Sequence, residues 1–239
     1  TAILDYSTPA YRNRIINGAM VIDQRNAGAS VTVNSSTATY PVDRFAGRGV
    51  ASAGVFTAQQ SSTAPTGFNN SVVCTVTTSA TPASTDAYLF RQNIEGFNVA
   101  DLGWGTANAK SVTLSFQVYS SLTGTFGGVV QNSSANRTYA FTYTIPSANT
   151  WTSISITIPG DTTGSWTRNT NANSFQLFFS LGQGSNGLGT ANTWQAADLR
   201  GVTGQVNLVG TNAATWYLSN VQLEAGSTPT PFDYKPYTM

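Results

Sequence analysis

The 239-residue sequence contains no histidine, and only 9% of its residues are charged, against about 25% in an average soluble domain. Without histidine the chain cannot form a Ser-His-Asp or Cys-His catalytic apparatus, and it lacks an imidazole base that titrates near neutral pH. Histidine-ligated metal sites are excluded for the same reason. These absences remove most catalytic chemistries before any motif is considered.

Cysteine, excess basic charge and long apolar segments are also scarce. Cys74 is the single cysteine, so no intrachain disulfide can form, and its neighbours Val72 and Val73 predict a buried side chain. The net charge of +1 and the scattered basic residues argue against nucleic acid as a partner. No apolar stretch approaches the ~20 residues that span a bilayer, so we predict no membrane insertion. Residues 1–6 lack the features of a signal peptide.

Alternating apolar and polar residues run through most of the chain, which is typical of half-buried antiparallel strands. The alternation is clearest in segments 112–118, 139–145, 154–158, 175–179 and 217–223, and weaker in 30–33, 55–60, 72–77, 88–94 and 127–130. In 217–223 it places Tyr217, Val221 and Leu223 on one face. Phe178 breaks the pattern of its strand, and we predict that it faces a second layer. No window has a sustained helical period, so helix should be scarce.

These strands predict an all-β fold, a two-sheet antiparallel β-sandwich (jelly roll) with long end loops. Segments 121–138 and 182–215 are rich in Gly, Asn, Ser and Thr, and we expect them to be those loops. Residues 1–14 have no period and are predicted to form an N-terminal arm. Residues 15–239 are then a single jelly-roll domain, which begins with a turn at Asn17-Gly18.

Tryptophans in polar loop sequence are the first candidates for a binding site. An indole ring can stack on the apolar face of a sugar while amide and guanidinium groups bond its hydroxyls. On that basis the candidate glycan- or partner-binding residues are Trp166, Arg168, Trp194 and Gln195. The alternative for each tryptophan is a packing anchor or a subunit contact. Trp151 and Trp216 lie on predicted strands and are assigned to packing.

The few charged residues give no catalytic pattern. Asp43-Arg44 and Arg91 with Glu95 are either functional charges or, the interpretation we favour, ion pairs that fix the register of strands. A glycosidase needs two carboxylates about 5–10 Å apart, and none of the ten acidic residues forms a recognisable pair in sequence. We therefore predict a protein that is not an enzyme, with no catalytic residues, no cofactor and no metal ligands.

Seven motifs, in order along the chain, resemble a family of virion-associated proteins of tailed bacteriophages, many from aquatic hosts such as cyanobacteria. The motifs are NRIINGAMVIDQR (13–25), YPVDRF (40–45), RQNIEG (91–96), DLGWGTA (101–107), TGTFGG (123–128), VQLEAGS (221–227) and PFDYKP (231–236). Members occur as tail-fibre or receptor-binding modules and as structural proteins. The fold that the resemblance implies is similar to jelly-roll carbohydrate-binding modules.

Those modules often hold a structural calcium with acidic residues near an Asn-Gly turn and on the last strand. This chain has Met20 and Val21 at the first position and Asn220 at the second. Hard cations need several oxygen ligands, usually more than one carboxylate, so this departure agrees with a protein that has no metal site.

The resemblance implies a non-enzymatic surface protein of a tailed-phage virion, assembled in the host cytoplasm, as a tail-fibre, head-fibre or capsid-decoration subunit. We expect a homo-oligomer, in particular a homotrimer, that contacts other virion proteins through residues 1–14 and adheres to host surface glycan. Two alternatives remain: a carbohydrate-binding module or adhesin outside a virion, and a capsid cement protein that binds no sugar.

Overall fold

A computed structural model describes residues 12–51 and 53–234 of the chain. Fifteen β-strands lie within these residues, and most of the segments with period-two alternation are among them. The strands are β1 (Val31–Val33), β2 (Thr39–Val42), β3 (Phe45–Val50), β4 (Val55–Ser61), β5 (Ser71–Thr78), β6 (Ala87–Glu95), β7 (Val112–Ser120), β8 (Gly124–Asn132), β9 (Thr138–Ile145), β10 (Thr152–Ile158), β11 (Asn173–Gln183), β12 (Leu188–Gly189), β13 (Thr193–Gln195), β14 (Gly201–Val202) and β15 (Thr215–Ala225).

The strands form two facing antiparallel sheets, which confirms the predicted jelly-roll β-sandwich. One sheet has six strands in the order β1-β4-β5-β15-β7-β10, and the other has seven in the order β13-β9-β8-β11-β6-β3-β2. The short β12 and β14 pair in parallel outside both sheets. Helix is scarce in the described residues, as predicted, and consists of short 3₁₀ segments such as Gly96–Leu102. No helix there is long and apolar enough to cross a bilayer.

The core lies between the two sheets because each strand turns its apolar side chains to the same face. Trp216 of the six-stranded sheet is fully buried and donates its indole N–H to the Tyr143 hydroxyl of the other sheet at 3.2 Å. Phe179 packs against both rings, and burial raises the pKa of Tyr143 well above its usual range. Cys74 is also fully buried, as predicted, and burial raises the pKa of its thiol.

A bulge in β15 changes which residues share a face. The pairing of β15 with β7 shifts register between Ser219 and Gln222, where Asn220 has a positive φ of 58°. An extra residue reverses the alternation of a strand. The prediction that Tyr217 lies on the face of Val221 is therefore wrong, because Tyr217 points outward and Val221 is fully buried.

The chain near the predicted turn at Asn17-Gly18 packs against this bulge. Asn13 is buried, and its side-chain amide donates to the Val221 carbonyl at 3.1 Å and accepts from the Leu223 amide at 3.0 Å. A Cβ on Gly18 would lie 2.1 Å from the Val221 carbonyl oxygen, so this close approach requires glycine. Residues 1–11 of the predicted arm lie outside the described residues, and Asn13 belongs to the packed body.

Both segments predicted to be end loops differ from that prediction. Segment 121–138 contains the nine-residue strand β8, of which only 127–130 was predicted as a weak strand. Segment 182–215 contains β12, β13 and β14 and covers part of the outer face of the seven-stranded sheet. There Val202 packs on Phe178, Leu89 and Val129 in a second apolar cluster. Phe178 thus faces a second layer, as predicted.

Candidate functional site

Three of the five tryptophans meet at one end of the sandwich. We call this group, which comprises Trp104, Trp166, Trp194 and Phe175, the tryptophan cluster. The ring centroids of Trp104 lie 4.8 Å from Trp166 and 5.4 Å from Trp194, and those of Trp166 and Trp194 are 5.8 Å apart. All three pairs are edge-to-face, the geometry that aromatic rings favour in packed interiors.

Every indole N–H of the tryptophan cluster already has a partner. Trp104 donates to the Lys110 carbonyl at 2.7 Å, and Trp194 donates to the Pro159 carbonyl at 2.9 Å. Trp166 is only 8% exposed and donates to the Asp161 carboxylate at 2.9 Å. The expectation of an exposed stacking platform at Trp166 is therefore wrong, because intramolecular packing covers its ring.

Asp161 is the anchor of this region. It is fully buried and accepts hydrogen bonds from Arg137 Nη2 at 2.5 Å, from Arg137 Nε at 3.0 Å and from the Gly164 amide at 2.9 Å. Burial by itself would raise the pKa of Asp161, but the hydrogen bonds from Arg137 and Trp166 outweigh it and lower that pKa. The Arg137 guanidinium also lies 5.5 Å from the Trp194 ring centroid. A network saturated in this way supports structure.

The other two predicted site residues, Arg168 and Gln195, do not form a binding pocket with the tryptophans. Arg168 lines a small closed gap beside Trp166, with no room for a ligand. Gln195 stabilises its own turn, because its side-chain amide donates to the Thr190 carbonyl at 3.0 Å and accepts from the Thr190 backbone amide at 3.2 Å. Of the four residues grouped in sequence, Trp166 and Trp194 pack ring against ring and Arg168 lies beside Trp166, while Gln195 bonds within its own turn. Ligand binding by these residues stays a prediction.

The outer face of the six-stranded sheet carries a row of three aromatic rings. We call it the neutral face. Tyr119 lies 4.9 Å from Tyr217 and 5.6 Å from Trp151, measured between ring centroids, and all three side chains are partly exposed. Serine, threonine and glutamine flank the row on β7 and β10, as in Gln117 and Ser153. Trp216 is buried in the core as predicted, whereas Trp151 packs on this outer surface.

The outer face of the seven-stranded sheet carries an open cleft of about 310 Å³. Charged and amide side chains dominate its walls, and we call it the arginine cleft. Its lining residues are Arg25, Tyr40, Arg44, Ala46, Arg91, Asn93, Ile94, Glu95, Asn171 and Asn173.

The register of three adjacent strands builds the floor of the arginine cleft. Ala46 of β3 pairs with Arg91 of β6, and Glu95 of β6 pairs with Asn173 of β11. Alternate residues of a strand point to one face, so Arg91, Asn93 and Glu95 share the outer face of β6. A rigid sheet therefore fixes these side chains relative to one another.

Ion pairs hold the walls of the arginine cleft in place. Arg44 binds the Glu95 carboxylate, which also accepts from the Asn98 amide at 3.1 Å. Burial tends to raise the pKa of Glu95, but the hydrogen bond from Arg44 and the other donors lower it overall. Arg25 lies 3.4 Å from the Asp43 carboxylate, with its guanidinium 4.8 Å from the Tyr40 ring centroid.

Two asparagines of the arginine cleft retain unused hydrogen-bonding capacity. The side-chain oxygens of Asn93 and Asn173 are buried, and no donor within the described residues reaches either of them. Buried polar atoms are normally paired, and an exception is a candidate contact for a ligand or a water. In this respect the arginine cleft differs from the tryptophan cluster.

Sequence analysis found part of the arginine cleft and missed the rest. Arg44, Arg91 and Glu95 were singled out as charges that need a reason. The predicted groupings were Asp43 with Arg44 and Arg91 with Glu95, whereas the structure pairs Arg44 with Glu95 and Arg25 with Asp43. Tyr40 and Asn93 were not candidates, although Tyr40 lies four residues before Arg44 and Asn93 lies midway between Arg91 and Glu95. Charged residues on strands are unusual in a chain that is only 9% charged, and this would have directed attention to Tyr40 and Asn93.

No cluster of three or more metal-ligating side chains occurs in residues 12–51 and 53–234. Met20 and Val21 stand where the resemblance to jelly-roll modules places Phe-Glu. Met20 is fully buried in the core, and Val21, at the position of the acid, is half-buried. Asn220 lies in the bulge of β15 and lines a shallow groove formed largely by serine side chains and by residues 229–232.

No protein-family model matches the chain, and no curated protein matches it. Solved structures that it is similar to include a putative sugar-binding protein from Bacteroides thetaiotaomicron (TM-score 0.45, 11% identity, 90% of this chain and 100% of that chain). A family 11 carbohydrate-binding module from Clostridium thermocellum has a TM-score of 0.40 and 11% identity, with coverage of 84% and 97%. The tailspike protein 4 enzymatically active domain of bacteriophage CBA120 has a TM-score of 0.42 and 14% identity, with 91% of this chain covered. The present chain spans 22% of that tailspike chain.

Proposed function

We propose that this protein is a non-enzymatic glycan-binding protein whose site is the arginine cleft. The observation that carries the proposal is an open cleft on a rigid sheet face, with the buried amide oxygens of Asn93 and Asn173 left without a donor. Binding sites combine such preformed concavity with a few convergent polar groups that fix ligand orientation.

The chemistry of the lining matches a sugar ring. Asn93, Asn171 and Asn173 offer amide donors and acceptors to hydroxyl groups, and Arg44 and Arg91 add donors. Tyr40 supplies an aromatic surface for the apolar face of a pyranose. Charged and amide groups spaced along one sheet face suit a ligand that presents many hydroxyls.

Turnover of the glycan is not part of the proposal. Glu95 is the one carboxylate among the described lining residues, and Arg44 holds it in an ion pair. Glycoside hydrolysis needs a second carboxylate on the opposite side of the scissile bond. Retention of the intact glycan after prolonged incubation, measured by chromatography, is the expected result.

The test of the binding site is a glycan microarray followed by isothermal titration calorimetry with the best ligand. Tyr40→Ala removes an aromatic contact and should weaken binding about 3- to 10-fold, as expected for loss of ring stacking. Tyr234→Ala makes the same change at an exposed position outside the cleft and should leave affinity unchanged. Equal affinities for the wild type and Tyr40→Ala would count against the cleft, and an empty array would count against glycan binding altogether.

We further propose the setting that the sequence resemblance implies, a surface subunit of a tailed-phage virion in which residues 15–239 form one domain. The neutral face supports self-association, because an uncharged sheet face can meet another copy without like-charge repulsion or charge desolvation. A homotrimer is the expected assembly, with residues 1–14 contacting other virion proteins. Repeated weak contacts across subunits would then give high avidity for host glycan.

Assembly and virion location have separate tests. Light scattering coupled to size-exclusion chromatography should give the mass of a trimer, and Tyr217→Lys should shift the population to monomer. A wild-type monomer at high concentration would contradict self-association. Immunogold electron microscopy of virions should place the label on fibres or capsid, and unlabelled virions would contradict the virion role. Label on the capsid together with an empty glycan array would favour a cement protein.

A further inference from the structure

Folding gathers basic side chains that are scattered in sequence. Five of the eleven basic residues belong to the arginine cleft or to the adjoining surface of the seven-stranded sheet: Arg25, Arg44, Arg48, Arg91 and Arg200. The neutral face has none on its three aromatic positions or their serine and glutamine neighbours. A chain of net charge +1 therefore carries a local excess of positive charge on one face.

Three of these arginines are neutralised by carboxylates and two are not. Arg25 pairs with Asp43, Arg44 with Glu95, and Arg200 with Asp198. Arg48 and Arg91 have no carboxylate at ion-pair distance within the part of the chain that the structure describes.

Within residues 12–51 and 53–234, hydrogen bonds from these two arginines use few of their donors. The Arg48 Nε donates to the Ser36 carbonyl at 2.8 Å, and the Arg91 Nη1 reaches the Gln176 side-chain oxygen only at 3.4 Å. The other side of the Arg91 guanidinium faces the Phe178 ring, 5.8 Å from its centroid. A guanidinium has five N–H donors, so both residues keep donors available.

The two unpaired arginines also repel each other. They occupy diagonal positions on neighbouring strands, because Ala46 pairs with Arg91 and Arg48 pairs with Leu89. Burial and the charge of Arg48 lower the pKa of Arg91, with a smaller opposing contribution from Tyr40. Burial and the charge of Arg200 lower the pKa of Arg48 and outweigh the attraction of Asp198. Like charges at such positions destabilise a sheet. An arrangement that costs stability in this way is typical of a binding site for the opposite charge.

We propose that the arginine cleft selects anionic glycans, with an oxyanion of the ligand bound by Arg91 at the end of the cleft and by Arg48 beside it. This inference rests on the glycan-binding function proposed above. A planar guanidinium bonds a carboxylate or a sulfate through two parallel N–H donors, so uronic-acid and sulfated glycans share the required chemistry. Two unpaired arginines are few for a nucleic acid, whose affinity depends on neutralising many phosphates.

The test compares ligands that differ only in charge. Polygalacturonate and its methyl-esterified form share one backbone, and dextran sulfate and dextran form a second such pair. We expect the wild type to bind at least one anionic member about 10- to 100-fold more tightly than its neutral counterpart, the range for hydrogen bonds to charged groups. A single-stranded DNA oligonucleotide is the control for general attraction to polyanions.

Substitutions of the two arginines, with one control, test which residues give the preference for anionic glycans. Arg91→Gln and Arg48→Gln should each remove most of the anionic preference, while Arg91→Lys should restore part of it. Lys110→Gln removes the same charge from an exposed loop residue outside the cleft and should change nothing. The melting temperature supplies a second readout, because Arg91→Gln and Arg48→Gln relieve repulsion and should raise it, whereas Lys110→Gln should not.

The outcomes separate the two proposals. Binding of neutral and anionic glycans with equal affinity would overturn anionic selection and leave glycan binding in place. Absence of binding to every glycan would overturn both. Tighter binding to DNA than to either anionic glycan, with the same loss in Arg91→Gln, would identify the surface as a nucleic-acid site and overturn the glycan assignment. An anionic preference that survives in both arginine variants would place the selecting groups elsewhere.

Discussion

The tryptophan cluster and the arginine cleft differ in how much of their hydrogen-bonding capacity is already used. In the cluster each indole N–H has a partner, and Asp161 accepts from Arg137, Gly164 and Trp166 together. In the cleft the Asn93 oxygen has no donor among the described residues, and Arg91 has no carboxylate there. The polar groups of the cluster are satisfied within the protein, whereas the cleft is open and keeps polar groups without a described partner.

This difference is the reason that we place the proposed site in the arginine cleft rather than at the tryptophans that residue type alone indicates. Exposed tryptophan in polar sequence is a reasonable sugar-binding candidate. The partners that cover Trp166 are the side chain of Asp161 and the rings of Trp104 and Phe175. A site is better identified by polar groups that the fold leaves unsatisfied than by aromatic groups that it packs.

The largest expected effect is on stability, from Asp161→Asn. This change removes the charge that pairs with Arg137 in a fully buried position, and loss of one partner of a buried ion pair costs about 3–5 kcal/mol. Chemical denaturation followed by tryptophan fluorescence measures the loss. Asp198→Asn breaks the more exposed pair with Arg200 and should cost less than about 1 kcal/mol. Equal losses in the two variants would contradict the structural role of Asp161.

The lowered pKa of Asp161 makes the stability of the protein depend on pH. The folded-state pKa of Asp161 is lowered, so its contribution is complete above the ordinary aspartate pKa and declines as pH falls through the folded-state value. The difference in melting temperature between wild type and Asp161→Asn should therefore be constant near neutral pH and shrink in acid. A difference that grows in acid would contradict the lowered pKa.

A loss of stability of similar size is expected from Trp166→Ala. The variant leaves a cavity among Trp104, Trp194 and Phe175, and deletions of buried aromatic rings cost about 3 kcal/mol or more. Glycan affinity, measured by calorimetry at a temperature where the variant is folded, should be unchanged. Loss of affinity without loss of stability would move the binding site to the tryptophan cluster.

The smallest change in stability is expected from Asn93→Ala, which tests a single hydrogen-bonding group of the arginine cleft. Asn93→Ala removes a buried oxygen that has no described donor, so the free energy of unfolding should stay the same or rise slightly. Glycan affinity should fall about 2- to 10-fold, the range for one hydrogen bond. Asn108→Ala, at an exposed loop position, is the matched control for both measurements. Unchanged affinity in Asn93→Ala would remove this amide from the proposed site.

The fold was predictable because period-two alternation survives in strands such as β7 and β10, where one face is buried. Phe178 was assigned to a second layer by its break in that pattern. Tyr217 was placed on the wrong face because a bulge depends on backbone geometry at Asn220, which alternation does not encode. The strands of the sandwich can therefore be predicted from local sequence, whereas bulges such as the one in β15 cannot.

The arginine cleft was less predictable because its residues come from distant parts of the chain. Arg25, Tyr40 and Asn173 meet only after β2, β3, β6 and β11 have paired. Arg91 and Glu95 were recognisable as unusual charges on a strand, but their neighbours across the sheet were not. The sequence also could not show that every indole N–H of the tryptophan cluster has a partner, since two of the three acceptors are backbone carbonyls.

The most direct test of the account is a titration of the ¹⁵N-labelled protein with its best glycan ligand, followed by nuclear magnetic resonance. Side-chain amide signals of Asn93 and Asn173 report on the arginine cleft, and indole N–H signals of Trp166 and Trp194 report on the tryptophan cluster. The account predicts that the asparagine signals shift with ligand while the indole signals stay in place. Shifts of the two indole signals with silent asparagines would contradict it.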